Sequence, residues 1–211
     1  MIKDLTQGKP MRIIIGFAIP LLMGMLFQQF YSLMDTIIVG KTLGVDALAA
    51  VGSTGSINFL IIGFCMGVCN GFAIPVSHKF GAGDYTGMRK YVANCVWLGL
   101  AFSVVMTVVT AILCRDILVW MKTPSNIIDG AYDYIFIIFI GIPTVYLYNI
   151  VAGVIRATGD SKTPVVFLVL SSIINIVLDL YFIISLHMGV AGAAWATVIS
   201  QGVSGVACLV Y

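Results

Sequence analysis

Two carboxylates stand where carboxylates are expensive. Asp35 and Asp179 each fall inside a long apolar run, and Asn175 precedes Asp179 by four residues, so a helix holding both would show them on one face. A charged side chain near the middle of a bilayer costs about 2.5 to 3.5 kcal/mol on insertion scales, so two of them imply a task or a partner. Thr197 contributes a hydroxyl from a third apolar run. Two carboxylates, an amide and a hydroxyl form an oxygen-rich group that suits a hard monovalent cation such as Na⁺, or a proton. Two acids brought close together resist carrying two charges, and uptake of one cation or proton is the chemistry to expect of them.

The elements that must position these groups follow from hydropathy. The chain of 211 residues is 60% hydrophobic and only 9% charged, against about a quarter charged in a soluble domain. Apolar runs long enough to cross a hydrocarbon core of roughly 30 Å alternate with short charged clusters. Six spans are expected at roughly 13–40, 50–77, 92–114, 132–155, 164–186 and 190–211. The alternating pattern of a barrel strand is absent, which leaves helices as the way to satisfy every backbone group in lipid. The fold class expected is an all-α integral membrane protein, a six-transmembrane-helix bundle. The first apolar run is too long for a signal-peptide core and has no small-residue cleavage site after it, so it is read as a retained span.

Orientation comes from the basic residues. Lys3, Lys9, Arg12, Lys79, Arg89, Lys90, Arg156 and Lys162 lie on one side, and Lys41, Arg115 and Lys122 on the other. The excess places the N-terminus in the cytoplasm of a multi-pass plasma-membrane protein. On that frame Asp35 lies about five residues before the outer end of its span, Asp179 about seven before its own, and Thr197 about seven after the sixth span begins. At a rise of ~1.5 Å per residue the three share a level roughly 8–10 Å below the outer surface. The two carboxylates are then expected within about 4–8 Å of each other.

Other polar residues suggest a cavity beside this site. Gln28, Gln29, Tyr31 and Ser32 in the first span, with Asn58, Asn70, Tyr146 and Asn149 on others, read as its lining; Gln28, Tyr31, Tyr146 and Asn149 are the substrate-cavity candidates. Met23, Met25, Phe27, Phe30 and Met34 offer an adaptable apolar wall. Pro20 removes a helix hydrogen bond and lets the first span bend. Gly63, Gly67 and Gly71, and Gly192, Ala193, Ala196, Ser200 and Ser204, form stripes expected to pack helices closely inside the bundle. The run Arg156 to Pro164 reads as a Gly and Asp turn, a hydroxyl cap and a proline opening the fifth span.

Several functions are disfavoured. A net charge of +2 with no basic tract offers nothing to a nucleic-acid backbone. The stretch Gly81-Ala-Gly83-Asp-Tyr-Thr-Gly87 misses the dinucleotide fingerprint, and no Walker A sequence occurs. His78 and His187 lie at helix ends or turns, poorly placed as bases for a buried serine. The five cysteines, Cys65, Cys69, Cys95, Cys114 and Cys208, fall in apolar runs and read as packing residues, with no disulfide framework and no ligands to complete a metal site at the Cys65 and Cys69 pair. No enzymatic activity and no cofactor are expected.

The sequence resembles the multidrug and toxic compound extrusion (MATE) transporters. The likeness rests on Pro20 and on Gln28 through Asp35-Thr36, and on Leu43-Gly44-Val45-Asp46-Ala47-Leu48-Ala49-Ala50-Val51-Gly52. It continues through the Arg156-to-Pro164 turn, Asn175-x-x-x-Asp179, and Gly189-Val-Ala-Gly192-Ala-Ala-Trp-Ala-Thr197. The resemblance implies twelve helices in two lobes, with residues 1–211 as the N-terminal lobe and a C-terminal lobe as its partner. The stop at Tyr211, where the sixth span has just reached crossing length, fits that expectation. It also implies antiport in which Na⁺ or H⁺ entry drives export of drugs or toxic organic cations, with Asp35, Asn175, Asp179 and Thr197 as the cation site. The superfamily's flippases for lipid-linked precursors are the alternative, and a receptor or scaffold without transport a third. A flippase cavity would favour basic residues to meet a pyrophosphate. The spans carry acids and no internal Lys or Arg, which points to cationic cargo.

Overall fold

A computed structural model describes residues 10–211. Lys3 and Lys9, which entered the charge reading, lie outside them. The described residues form seven α-helices: α1 (Pro10–Leu43), α2 (Val45–Gly81), α3 (Tyr85–Trp120), α4 (Ile128–Ile140), α5 (Ile142–Ala157), α6 (Lys162–Leu180) and α7 (Gly189–Val210). Five are long and apolar enough to cross a membrane, and α4 with α5 makes a sixth span when the bent pair is counted together. Several helices outrun the apolar runs that predicted them, because a helix does not stop where hydrocarbon gives way to headgroups. Thus α2 begins five residues before the expected 50 and α3 seven before the expected 92.

Sharp connections set where the helices turn. Gly44 takes a φ of 89°, open only to glycine at low cost, and its carbonyl accepts the first bond of α2 from Leu48 N at 3.2 Å. Between α2 and α3, Asp84 caps the new helix by accepting from Gly87 N at 2.8 Å and ion-pairs with Lys79 at 2.9 Å. At the start of α6 the expected hydroxyl cap is replaced by a carboxylate. Asp160 accepts from Lys162 N at 3.0 Å, Thr163 N at 3.1 Å and the Thr163 hydroxyl at 2.7 Å, while Ser161 makes no side-chain cap. Pro164 is therefore the third helical residue, still within the turn where a missing N–H costs nothing.

The fourth expected span, 132–155, is broken. α4 and α5 meet at Gly141 with a bend of 44°. Pro143 can donate no backbone bond there. Val198 of α7 occupies the position that a Cβ on Gly141 would need. The fifth expected span also departs from a plain helix, because α6 passes directly after Asp179 into a π-helical turn, Tyr181–Ser185, in which Leu186 N donates to Tyr181 O at 3.1 Å.

α4, α5 and α7 carry the core, where Phe139, Ile135, Ile142, Ala193 and Ala194 are wholly or almost wholly buried. α7 touches α4, α5 and α6, and α1 lies against α6. Two cross-helix bonds tie this half together: the Tyr148 hydroxyl donates to Pro164 O at 2.9 Å and the Ser204 hydroxyl to Phe167 O at 3.1 Å. The small residues of α7 do pack inside, with Gly192, Ala193, Ala196, Ser200 and Ser204 all buried. The α2 stripe does not. Gly63, Gly67 and Gly71 are exposed, and a Cβ on any of them would meet nothing within 4 Å. Four-residue spacing identifies one face of a helix and says nothing of what covers that face.

α1 and α6 run side by side in constant register. Gly24 lies against Val165 and Leu168, and Asp35 against Asp179, the same eleven-residue step along each helix (24 to 35, 168 to 179). That register, about 16 Å long at 1.5 Å per residue, carries the α1 and α6 side chains of the site described next.

Candidate functional site

On α1 the residues Gly24, Gln28, Tyr31 and Asp35 recur at three- and four-residue steps and so share one face. On α6 the matching face presents Leu168, Ser171, Ser172, Asn175 and Asp179. The structure brings Asp35, Asn175, Asp179 and Thr197 together at the far end of this seam. Asp179 is 0% exposed, Asn175 1% and Asp35 6%. The side chains of Asp35 and Asp179 meet directly. One oxygen of each, Oδ1, is buried with no hydrogen-bond donor.

Asn175 bridges to α7. With its amide turned so that each atom faces a complementary partner, Nδ2 donates to Asp179 Oδ2 at 3.3 Å and the carbonyl accepts from Thr197 N at 3.3 Å. In the opposite orientation Nδ2 reaches the Thr197 hydroxyl at 3.3 Å. Tyr31, expected in the substrate cavity, belongs instead to this cluster, close to Thr197 and both acids. Sequence reasoning missed Tyr134, which α4 inserts, buried, next to Asp35, Asp179 and Tyr31. Its signal was available: a tyrosine in an apolar run must find a partner for its hydroxyl once buried.

Two cavities continue down the seam. A space of about 10 Å³, the size of one water, lies among Tyr31, Ser171, Asn175, Ser200 and Gln201. Leu168 and Gln201 also border a second cavity of about 340 Å³. Gln28 and Asn149 line this larger space as expected, joined by Asn70, Gln201, Met25, Met66 and Arg156.

Other expected lining residues do not. Tyr146 is buried with its ring 5.5 Å from that of Phe102 and its hydroxyl beside Cys65, because α5 turns it toward α2 and α3. Gln29 and Ser32 are exposed, rotated away from the seam by the 100° step of the helix. Asn58 borders neither cavity, and its buried Oδ1 has no partner. Met23, Phe27 and Phe30 point outward among the exposed apolar side chains.

Arg156 overturns one premise. The sequence places it in a loop, yet it is helical near the end of α5, lines the larger cavity and donates from Nη2 to Asn70 Oδ1 at 3.4 Å. The lining of the larger cavity therefore does hold a basic group.

The MatE family model matches residues 20–181. The probable multidrug resistance protein YpnP of Bacillus subtilis (strain 168) is 34% identical over 201 residues, covering 95% of this chain and 45% of that protein. YoeA of the same organism, likewise a probable multidrug resistance protein, is 35% identical over 199 residues, covering 92% and 43%. Among solved structures, a MOP superfamily transporter from Pyrococcus furiosus superposes with a TM-score of 0.90 at 30% identity, covering 97% of this chain and 45% of that one. The chain spans a little under half the length of the curated relatives it matches.

Proposed function

The chain belongs to the MATE family, and from that premise we propose that it forms one half, the N-terminal lobe, of a secondary antiporter. The transporter exports amphipathic organic compounds, cationic drugs included, in exchange for H⁺ or Na⁺. The protein is an integral multi-pass membrane protein, and the proposed orientation in the plasma membrane has the N-terminus inside. No cofactor takes part; the coupling ion does the work.

One observation carries this reading: two buried acids in direct contact, each with an oxygen lacking a donor. Carboxylates in hydrogen-bond contact hold together only with a proton or cation between them. Removing that ion leaves two like charges with no water to screen them, and α1 separates from α6. Pro20 lets the helix bend as it does so. Because Gln28 stands on the same helix face as Asp35 and lines the larger cavity, the ion's arrival and the cavity's shape become linked through one element. That linkage is what antiport requires.

The test is export of a fluorescent amphipathic dye from vesicles holding the intact transporter, under an imposed H⁺ or Na⁺ gradient. Export driven by one gradient and lost in Asp35→Asn supports the reading; export indifferent to both gradients refutes it. The reverse polarity of binding pocket ascribed to the Pyrococcus furiosus transporter concerns that protein. In this chain Arg156 supplies a basic group to the cavity, which bears on cargo rather than on coupling.

A further inference from the structure

We propose that the larger cavity binds an anionic group, a sulfonate, carboxylate or phosphate carried by an amphipathic molecule, and that Arg156 is its anchor. The inference rests on that cavity being the cargo space of the proposed transporter. Arg156 has no carboxylate partner among the described residues, where the ion pairs are Lys79 with Asp84 and Arg115 with Asp129. The groups that act on it electrostatically are Tyr148, Cys69 and Cys208, and none is a carboxylate. Its hydrogen bond to Asn70 is long, at 3.4 Å, and goes to an uncharged amide on another helix.

A guanidinium has five donors in a planar fork matched to a two-oxygen anion. Here most of that capacity is unspent, and the fork opens on a space with room for a small aromatic ligand. A basic residue at the end of α5 is favoured by the helix dipole and by the membrane boundary. Neither accounts for its turning inward to meet Asn70. Gln28, Asn149 and Gln201 add amides that can donate to further oxygens. The acid pair lies about 22 Å along α6 from Pro164 at the Arg156 end, fifteen residues at 1.5 Å each. An anion at Arg156 is therefore spared its repulsion.

The experiment measures equilibrium binding to the full chain in phosphatidylcholine nanodiscs, corrected with empty discs, for naphthalene-2-sulfonate, the matched naphthylmethanol and the matched naphthylmethylammonium. Wild type should prefer the sulfonate to the alcohol by at least about tenfold, the worth of a charge-assisted hydrogen bond. Arg156→Gln should abolish that preference, and Arg156→Lys should keep part of it. Asn70→Asp puts a carboxylate against the guanidinium and should abolish it equally, so the proposal is decided even if Arg156→Gln fails to fold. Adding phosphatidylglycerol distinguishes the source: competition in wild type assigns the anion to a lipid headgroup, and its absence to soluble cargo. Equal binding of sulfonate and alcohol in wild type, or a preference that survives both Arg156→Gln and Asn70→Asp, overturns the proposal. The assay needs no ion gradient, so failed gradient-driven export would leave it standing, and its own failure would leave the acid pair's role untouched.

Discussion

Asp179→Asn tests the acid pair most directly. Asp179 has no exposed surface and Asp35 almost none, so water relieves neither charge. Two full charges held at a contact distance of about 4 Å, in an effective dielectric near 20, repel by about 4 kcal/mol, roughly a thousandfold in an equilibrium constant. Loading one proton or cation removes that repulsion. Coupling between two ligands typically needs about 1–3 kcal/mol, so the pair has enough to drive it. An amide at 179 keeps the shape and can still bond to Asn175, but it leaves one carboxylate with no charged neighbour, and loading then relieves nothing. Gradient-driven dye export from vesicles should fall at least about tenfold, to the leak rate, consistent with loss of that coupling. The unfolding temperature in detergent should move by only a few degrees, which separates lost coupling from lost fold. Export at the wild-type rate with unchanged pH and Na⁺ dependence would refute the reasoning.

Further expectations concern the frame. Gly141→Ala drives a Cβ into Val198 and to 3.2 Å from Ile138 O, and should cost about 1–3 kcal/mol by overpacking, seen as a lower unfolding temperature that Val198→Ala largely restores. Asp160→Ala removes three hydrogen bonds from the start of α6 and should cost about 1–2 kcal/mol. Burial pushes the Asp160 carboxyl up, but the Thr163 N–H and hydroxyl and the Lys162 N–H together hold it below the usual carboxylate range. Its contribution is therefore complete above an unfolded value near 3.9 and lost as pH falls through the lower folded value. The stability gap between wild type and Asp160→Ala should stay flat from about pH 8 to 5; a gap that closes over this interval would contradict the cap. Cysteines replacing Lys41 or Lys122 should react with an impermeant label from outside the cell, and reaction of both only from the cytoplasm would invert the proposed topology.

The acid pair was legible in the sequence because a carboxylate in an apolar run is an anomaly with a price, and helical spacing then sets which neighbours share its face. Counting rises placed Asp35, Asp179 and Thr197 at one level without any structure. What spacing could not supply was the identity of the facing helix. Tyr146 has the same credentials as Asn149 on paper, yet α5 turns it toward Phe102 while Asn149 faces the cavity. The Gly63, Gly67 and Gly71 stripe failed for the same reason. The break at Gly141 did leave a trace, Gly141-Ile142-Pro143 inside an expected span. The π turn after Asp179 left none, since an extra residue in a helical turn is decided by packing. Arg156 was misread through its company: a turn of Gly, Asp and Lys follows it, and membership in the loop was assumed where the helix still ran.

The constant register of α1 and α6 has a mechanical meaning. Were α1 to bend at Pro20 as proposed, it would act as a lever, with Gln28 eight residues out and Asp35 fifteen, about 12 Å and 22 Å at 1.5 Å per residue. Tilting it by about 10° carries Asp35 about 4 Å, far enough to part it from Asp179, while Gln28 travels about 2 Å. The gearing is close to two to one: under the proposed coupling, a small adjustment of the cavity wall would be read at the acid pair as a full break of contact, and the seating of one ion would return to the cavity as a fine movement.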